Sequence, residues 1–128
     1  MRMMKALYHE KAGRPNASGR MVPYPTCGDD EVIIKVMACG ICKWAEINHD
    51  TVGGGGTLAK YPVITGHEFA GYIVEKGKNV QGLELGERVT ADNAVPCGEC
   101  WYCKNGKPLL CEHFGSYGHN KNGGFAQY

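Results

Sequence analysis

Short runs of apolar residues dominate the pattern of this chain, and they predict β-strands. The strongest run, 31–37 (EVIIKVM), combines β-branched residues with an apolar stretch suited to a core strand. Weaker runs predict strands at 4–9, 67–75 and 87–91, and a further strand that begins at 124–128. Helical periodicity is weak, and only 41–48 could form a short helix. The pattern therefore predicts a mainly β fold, a partly open barrel with few short helices.

Glycine separates these runs, with 19 glycines in 128 residues, about twice the usual share. The segment 77–86 contains Asn79, Gly82 and Gly86, which predict a turn between two strands. Four consecutive glycines at 53–56 are interpreted as a surface loop, because they lack the spacing of a phosphate-binding loop. The sequence contains no G-x-G-x-x-G dinucleotide fingerprint.

Length and charge narrow the class of protein. A chain of 128 residues forms one domain that can bury roughly two-thirds of its unfolded surface. The formal net charge of +1 gives no electrostatic reason to expect a nucleic-acid or membrane partner. The apolar runs are too short to span a membrane, and charged residues interrupt any signal-peptide core near the amino terminus. With seven cysteines and no export signal, a cytoplasmic location is expected.

Four cysteines follow one another with the spacing C-x2-C-x2-C-x7-C: Cys97, Cys100, Cys103 and Cys111. Closely spaced thiolates let a short loop fold around a tetrahedral Zn²⁺, and four thiolates leave no open position for substrate. The alternative is a pair of disulfides, which an odd total of seven cysteines and the tight spacing disfavour. The spacing therefore predicts a structural zinc site.

A second set of candidate ligands is Cys42, His67 and Glu68. Cys42 follows the strongest predicted strand, and His67 and Glu68 begin another. One thiolate, one imidazole and one carboxylate would suit a catalytic zinc, which keeps a position open for water or substrate. Each residue also has a structural explanation, and from the residues alone their meeting in space stays open.

Three motifs in this order carry a resemblance. They are Cys-Gly-Ile-Cys at 39–42, Gly-His-Glu-x-x-Gly at 66–71, and Pro-Cys-Gly-x-Cys-x-x-Cys starting at Pro96. The chain closely resembles the amino-terminal catalytic domain of the zinc-dependent medium-chain alcohol dehydrogenases, nearest to the sorbitol, polyol and threonine dehydrogenase branch. The resemblance extends from Met4 to Tyr128 and implies a GroES-like, partly open β-barrel.

The resemblance also implies roles for single residues. Cys42 and His67 would bind the catalytic zinc, and Glu68 would be a partner that can move into the coordination sphere. The four clustered cysteines would hold the structural zinc in a lobe at about 95–113. Cys27 and Cys39 match no ligand position and are interpreted as packing residues, and His9, His113 and His119 as surface or core residues.

The implied activity is the oxidation of a small alcohol or polyol to a carbonyl compound, with hydride transfer to NAD or NADP. Family members are more than twice as long and bind the nicotinamide cofactor in a Rossmann domain. Residues 1–128 would thus be a truncated catalytic domain, inactive by itself, of a homodimeric or homotetrameric enzyme. The competing hypotheses are a GroES-like co-chaperone and a stand-alone zinc module that contacts protein or nucleic acid. Against a nucleic-acid module, the lobe has only Lys104 and Lys107 as bases.

One position departs from the family. Where relatives carry a Ser or Thr that starts a proton relay, this chain has Trp44, which has no hydroxyl. Two hypotheses follow: Glu46 or His49 exports the proton, or Glu68 and water suffice. Trp44 could instead narrow the substrate pocket or pack in the core.

Overall fold

The computed structural model describes residues 1–13, 17–43, 45 and 58–128. Within these ranges the chain forms eight strands, and the prediction of a mainly β fold is confirmed. The strands are β1 (Met3–His9), β2 (Ala17–Pro23), β3 (Val32–Gly40), β4 (Val63–Ile64), β5 (Glu68–Lys76), β6 (Arg88–Thr90), β7 (Ala94–Val95) and β8 (Gly115–Ser116). A short helix α1 (Trp101–Lys104) and a 3-10 turn (Pro108–Leu110) lie between β7 and β8. In the described part of the chain, no helix is long and apolar enough to cross a membrane.

One sheet has the strand order β2-β1-β4 and supplies part of the core. Strand β1 pairs antiparallel with β2, from Met3 opposite Pro23 to His9 opposite Ala17. From Met3 to Leu7 alternate residues are buried, which is the two-residue period of a strand with one face on the core. Met4 and Ala6 on that face form a buried cluster with Val22 and Ile64.

The second sheet has the order β3-β5-β6 and contains the two longest described strands, β3 and β5, with nine residues each. They pair antiparallel, with irregularities in register between Ile33 and Ile34 and between Val36 and Ala38. The pairing ends with Gly40 opposite Glu68. This register brings the end of β3 beside the beginning of β5, where two of the predicted site motifs lie.

The most buried apolar side chains come from β4 and β5. Ile73 is 1% exposed and Val63 is 2% exposed. Complete burial of such a side chain stabilises the fold by about 2 kcal/mol, and truncation to alanine costs about 2–5 kcal/mol because a cavity remains. An open cavity of about 1210 Å³, lined by residues of both sheets such as Met4 and Phe69, fits a partly open barrel.

The segment 124–128, predicted to begin a strand, forms a single antiparallel bridge between Ala126 and Ala6 instead of a regular ladder. Its hydrogen bonds are divided between two strands. The Leu7 amide donates to the Phe125 carbonyl at 2.7 Å, and the Val36 amide donates to the Gln127 carbonyl at 2.9 Å. Because Leu7 belongs to β1 and Val36 to β3, this segment connects the two sheets and continues neither.

The predicted strands at 4–9, 31–37, 67–75 and 87–91 correspond to β1, β3, β5 and β6, with ends that differ by at most three residues. The turn at 77–86 is also present, with positive φ angles of 73° at Gly82 and 82° at Gly86. Strand β2 was missed because Val22 is its one buried residue, so its sequence shows no apolar alternation. The glycine run at 53–56 and half of the residues of the helix predicted at 41–48 lie outside the described residues.

Candidate metal centres

The four clustered cysteines meet in one place. Their sulfur atoms all lie within 4.8 Å of one another, and Cys97 Sγ is 4.0 Å from Cys103 Sγ. Four sulfurs at about 2.3 Å from a tetrahedral zinc ion would be roughly 3.8 Å apart, so the cluster fits this ion with little rearrangement. No disulfide joins any of the seven cysteines, all of which lie among the described residues, so the disulfide alternative finds no support in the structure.

Short-range backbone structure assembles this cluster. Cys100 precedes α1 and Cys103 lies inside it, whereas Cys111 directly follows the 3-10 turn. The Cys97 and His113 amides both donate to Cys111 Sγ at 3.3 Å. The amides of Glu99 and Cys100 both donate to Cys97 Sγ at 3.4 Å. Amide donors directed at sulfur stabilise the thiolate, which is the form that binds metal.

These hydrogen bonds affect the acidity of the thiols in different ways. Backbone hydrogen bonds from Cys103 and Glu112 lower the pKa of Cys100 to about 6. Those from Glu99 and Cys100 lower the pKa of Cys97. Desolvation raises the pKa of Cys103 to about 12, and hydrogen bonds with neighbouring thiols add to that rise. The lobe thus contains thiols prepared to ionise beside one that keeps its proton, and a bound dication would favour the thiolate form of all four.

Cys42, His67 and Glu68 form a second cluster, with one donor atom from each lying within 4.8 Å of the others. His67 Nε2 is 3.9 Å from Glu68 Oε1. The His67 side chain is 12% exposed and that of Glu68 is 51% exposed, so the imidazole is fixed in the fold and the carboxylate faces solvent. A thiol, an imidazole and a carboxylate are the donor types that zinc prefers when one coordination position stays open. The residues present therefore fit a catalytic zinc.

Strand pairing explains how these residues meet across a sequence gap. Cys42 follows the last residue of β3 by two positions, and His67 immediately precedes β5. Because Gly40 pairs with Glu68, the two motifs lie side by side. Gly66 has a φ of 89°, a conformation that side chains with a Cβ rarely adopt. A Cβ there would lie 2.8 Å from the Phe125 ring and 2.9 Å from Cys39 Sγ.

The surroundings of His67 keep its ring neutral. Burial lowers the pKa of His67, the neighbouring His119 lowers it further, and Glu68 opposes both effects. A neutral imidazole has a lone pair for a metal ion, whereas an imidazolium has none. The burial that positions the ring also prepares it as a ligand.

The ring of His119 lies beside that of His67, with centroids 5.4 Å apart and an angle of 38° between the planes. The sequence analysis interpreted His119 as a surface or core residue and did not predict that it lies beside His67. No spacing rule connects position 119 with position 67, since the contact depends on how 116–124 folds against β4. A histidine three residues after Gly-Ser in a glycine-rich segment carries no such signal by itself.

The remaining candidates have local explanations. Cys39 Sγ donates to the Gly40 carbonyl at 3.6 Å, and Cys27 Sγ donates to the Glu31 carbonyl at 3.3 Å. Neither sulfur belongs to a metal-type cluster among the residues the structure describes. His9 is buried, and its Nδ1 lies 3.5 Å from Thr65 Oγ1. The relay candidates Trp44, Glu46 and His49 lie outside the described residues.

Comparison with known proteins agrees with this geometry. Residues 28–128 match the alcohol dehydrogenase GroES-like domain. The chain is 40% identical to D-arabinitol dehydrogenase 1 of Uromyces fabae over 98% of its own length and 34% of that protein. It is 37% identical to L-threonine 3-dehydrogenase of Xanthomonas axonopodis pv. citri, over 98% of the chain and 36% of that enzyme.

A solved structure described as a zinc-binding dehydrogenase of Sinorhizobium meliloti 1021, bound to NADP, superposes with a TM-score of 0.86 at 39% identity. The superposition covers 100% of this chain and 36% of that protein. The chain therefore spans about a third of the length of the relatives that it matches.

Proposed function

Since this chain belongs to the GroES-like amino-terminal domains of zinc-dependent medium-chain dehydrogenases, in the threonine and arabinitol dehydrogenase-like branch, we propose that it supplies the catalytic centre of an NAD(P)-dependent alcohol or polyol dehydrogenase. The observation that carries this proposal is the convergence of Cys42, His67 and Glu68 at paired strand ends. The four lobe cysteines would hold a second, structural zinc ion.

The three residues of this centre would each contribute differently to metal binding. His67, whose side chain is 12% exposed, would offer a lone pair, and the half-buried Cys42 would offer a thiolate; the β3–β5 pairing brings the two together. Glu68, half exposed, is free to approach or leave the centre as other ligands change. A zinc ion held there would supply Lewis acidity that lowers the pKa of a bound hydroxyl group.

Hydride transfer would need a nicotinamide cofactor, and this chain has no dinucleotide fingerprint. We therefore propose that 1–128 acts as the catalytic domain, with its zinc lobe at about 95–113, together with a Rossmann domain that binds NAD or NADP. The relatives' additional two-thirds in length support this division. The 128-residue chain alone is expected to bind zinc without turnover. Seven cysteines without a disulfide among them support a cytoplasmic location.

A chimeric enzyme tests the proposal. Residues 1–128 replace the matching part of the Uromyces fabae D-arabinitol dehydrogenase, and the oxidation of D-arabinitol is followed by the reduction of NAD or NADP. The chimera should be active. The His67→Ala variant should lose more than about 100-fold, since even partners outside the ligand set cost 10–100-fold.

The matched control for this experiment is Cys39→Ser, which changes a cysteine of the same motif whose sulfur lies outside the cluster. This variant should keep its activity. A folded chimera with both zinc ions that turns over equally well without His67 would contradict the proposal.

A further inference from the structure

The segment 116–124, which no ligand motif includes, packs its backbone against the residues that lead into His67. The Gly123 amide donates to the Ile64 carbonyl at 2.7 Å, and the Ile64 amide donates to Asn122 Oδ1 at 3.1 Å. The Gly124 amide donates to the Gly66 carbonyl at 2.7 Å. The two segments are thus joined by hydrogen bonds in both directions.

Glycines allow this close approach. A Cβ on Gly118 would lie 2.9 Å from the Gly66 carbonyl oxygen, and a Cβ on Gly123 would collide with the same oxygen. The turn can therefore lie directly on the backbone before His67. A side chain of the segment 116–124 that projects towards β5 therefore lies beside the imidazole of His67.

His119 is that side chain, and its own ring is anchored. Its Nδ1 lies 3.2 Å from the Tyr117 carbonyl oxygen and 3.3 Å from Oγ of the buried Ser116. Both contacts are made by Nδ1, so they hold this edge of the ring and define its orientation. The Lys60 amide donates to the His119 carbonyl at 3.0 Å, which fixes the backbone as well.

We infer that His119 is a positioning residue, whose anchored ring holds the His67 ring so that Nε2 faces Cys42 and Glu68. The inference rests on the proposed ligand role of His67. The χ2 torsion of histidine has broad, roughly two-fold preferences, so a ring needs an external restraint to present one nitrogen in one direction. The neighbouring ring at 5.4 Å supplies that restraint. The ring nitrogens of His119 belong to neither of the metal-type clusters found among the described residues. His119 is therefore assigned a positioning role and not the role of a ligand.

The first test needs no metal in the second cluster. In the chain loaded with zinc only at the lobe, NMR relaxation of the His67 ring resonances is compared among wild type, His119→Ala and His119→Phe. The wild-type ring should be ordered, alanine should release it, and phenylalanine, which keeps a flat ring, should restore part of the order. An equally ordered His67 ring in His119→Ala overturns the inference. Should the alanine variant unfold, His119→Leu, which fills space without a flat ring, replaces it.

The second test titrates the same proteins with Co²⁺, whose absorption spectrum reports ligand geometry. His119→Ala should weaken cobalt binding at the second cluster about tenfold or more and change the spectrum there. The cobalt spectrum of the lobe should not change. His113→Ala serves as the control, because it removes an exposed histidine near the lobe cysteines. Unchanged affinity and spectrum in His119→Ala contradict the inference. A wild-type chain that binds cobalt at the lobe alone contradicts the proposed ligand set instead, and the NMR test then decides the role of His119.

Discussion

The two clusters of this chain differ in how the fold brings their donor atoms together. The lobe collects four sulfurs from 97–111, a single stretch of turns in which neighbouring amides donate to the sulfurs. The second cluster joins residue 42 to 67–68 through the pairing of β3 with β5. A local cluster with little core of its own depends on its metal, whereas a cluster built on paired strands is shaped by the sheet before any ion binds. Loss of an ion should therefore unfold the lobe but leave the second cluster in place.

The largest effect expected from this comparison is that of Cys111→Ala. Cys111 is the buried member of the lobe cluster and accepts two amide hydrogen bonds, so its removal destroys a ligand and leaves two donors without their acceptor. Because structural zinc contributes about 10–16 kcal/mol in zinc-finger peptides, loss of the site should cost several kcal/mol. Elemental analysis should find the lobe zinc missing, and amide hydrogen exchange should accelerate within 97–111. Protection that persists there in the variant would show that the lobe folds without its metal.

The next effect concerns the second cluster alone. Cys42→Ser replaces its thiolate with a poor zinc ligand, so the second ion should be lost and the lobe ion kept. Compared with wild-type protein that also lacks the second ion, the variant should be destabilised by less than about 1 kcal/mol, because Cys42 is only half buried and the substitution is nearly isosteric. Thermal unfolding and zinc content, measured together, check both statements.

Cys39→Ser is the matched control. Cys39 belongs to the same motif, and its sulfur donates a hydrogen bond to the Gly40 carbonyl. It should retain both zinc ions. If Cys42→Ser unfolds the two sheets as well, the second cluster is as dependent on its metal as the lobe, and the contrast between the clusters disappears.

This contrast also explains what the sequence could reveal. The lobe was predictable because its spacing is itself the geometric requirement: cysteines with two residues between them on a tight turn converge on one ion. The meeting of Cys42 with His67 could not be derived from spacing, because it depends on the register that pairs Gly40 with Glu68. The pairing contains two irregularities, an extra residue in β5 at Val74 and an extra residue in β3 at Met37, which together restore the register, and no residue pattern predicts them. Resemblance to a family supplied what the periodicity could not.

The same limit applies to the elements that sequence reasoning missed or misread. Met4, Ala6 and Ile73 follow a clear alternation, and their strands were predicted. The segment 124–128 has strand-like residues, but its hydrogen bonds go to two different strands, a property of the assembled sheets. The contact of His119 with His67 likewise requires the turn at 116–124 to lie against β4.

A smaller effect on metal binding than that of Cys42→Ser is expected from Gly66→Ala, which tests whether the sheet shapes the second cluster. Alanine at a φ of 89°, with contacts of 2.8 Å to Phe125 and 2.9 Å to Cys39, should cost about 3 kcal/mol and displace the adjacent His67. The second zinc should bind more weakly, and the lobe zinc should bind as before. Zinc competition with a chelator and chemical unfolding measure the two quantities.

Gly82→Ala is the control for backbone strain alone. Gly82 has a φ of 73° with nothing within 4 Å of a Cβ, so alanine should cost only about 1–2 kcal/mol and change neither metal site. Equal costs for the two glycine variants would show that packing around Gly66 contributes nothing to the centre.

The smallest effect, and the one that most sharpens the comparison, is that of Glu68→Gln. The side chain is half exposed, and glutamine preserves its size and an oxygen donor while removing the charge. If Glu68 approaches and leaves the centre, the second ion should bind about tenfold more weakly but remain bound at stoichiometric zinc, with the lobe unaffected. Glu84→Gln, at a surface carboxylate 3.7 Å from Lys76 Nζ, should change neither site. If Glu68→Gln loses the ion as completely as Cys42→Ser does, the carboxylate is a permanent ligand. The most exposed donor would then carry as much of the binding as the buried ones, and burial would cease to predict which ligands the sheet holds in place.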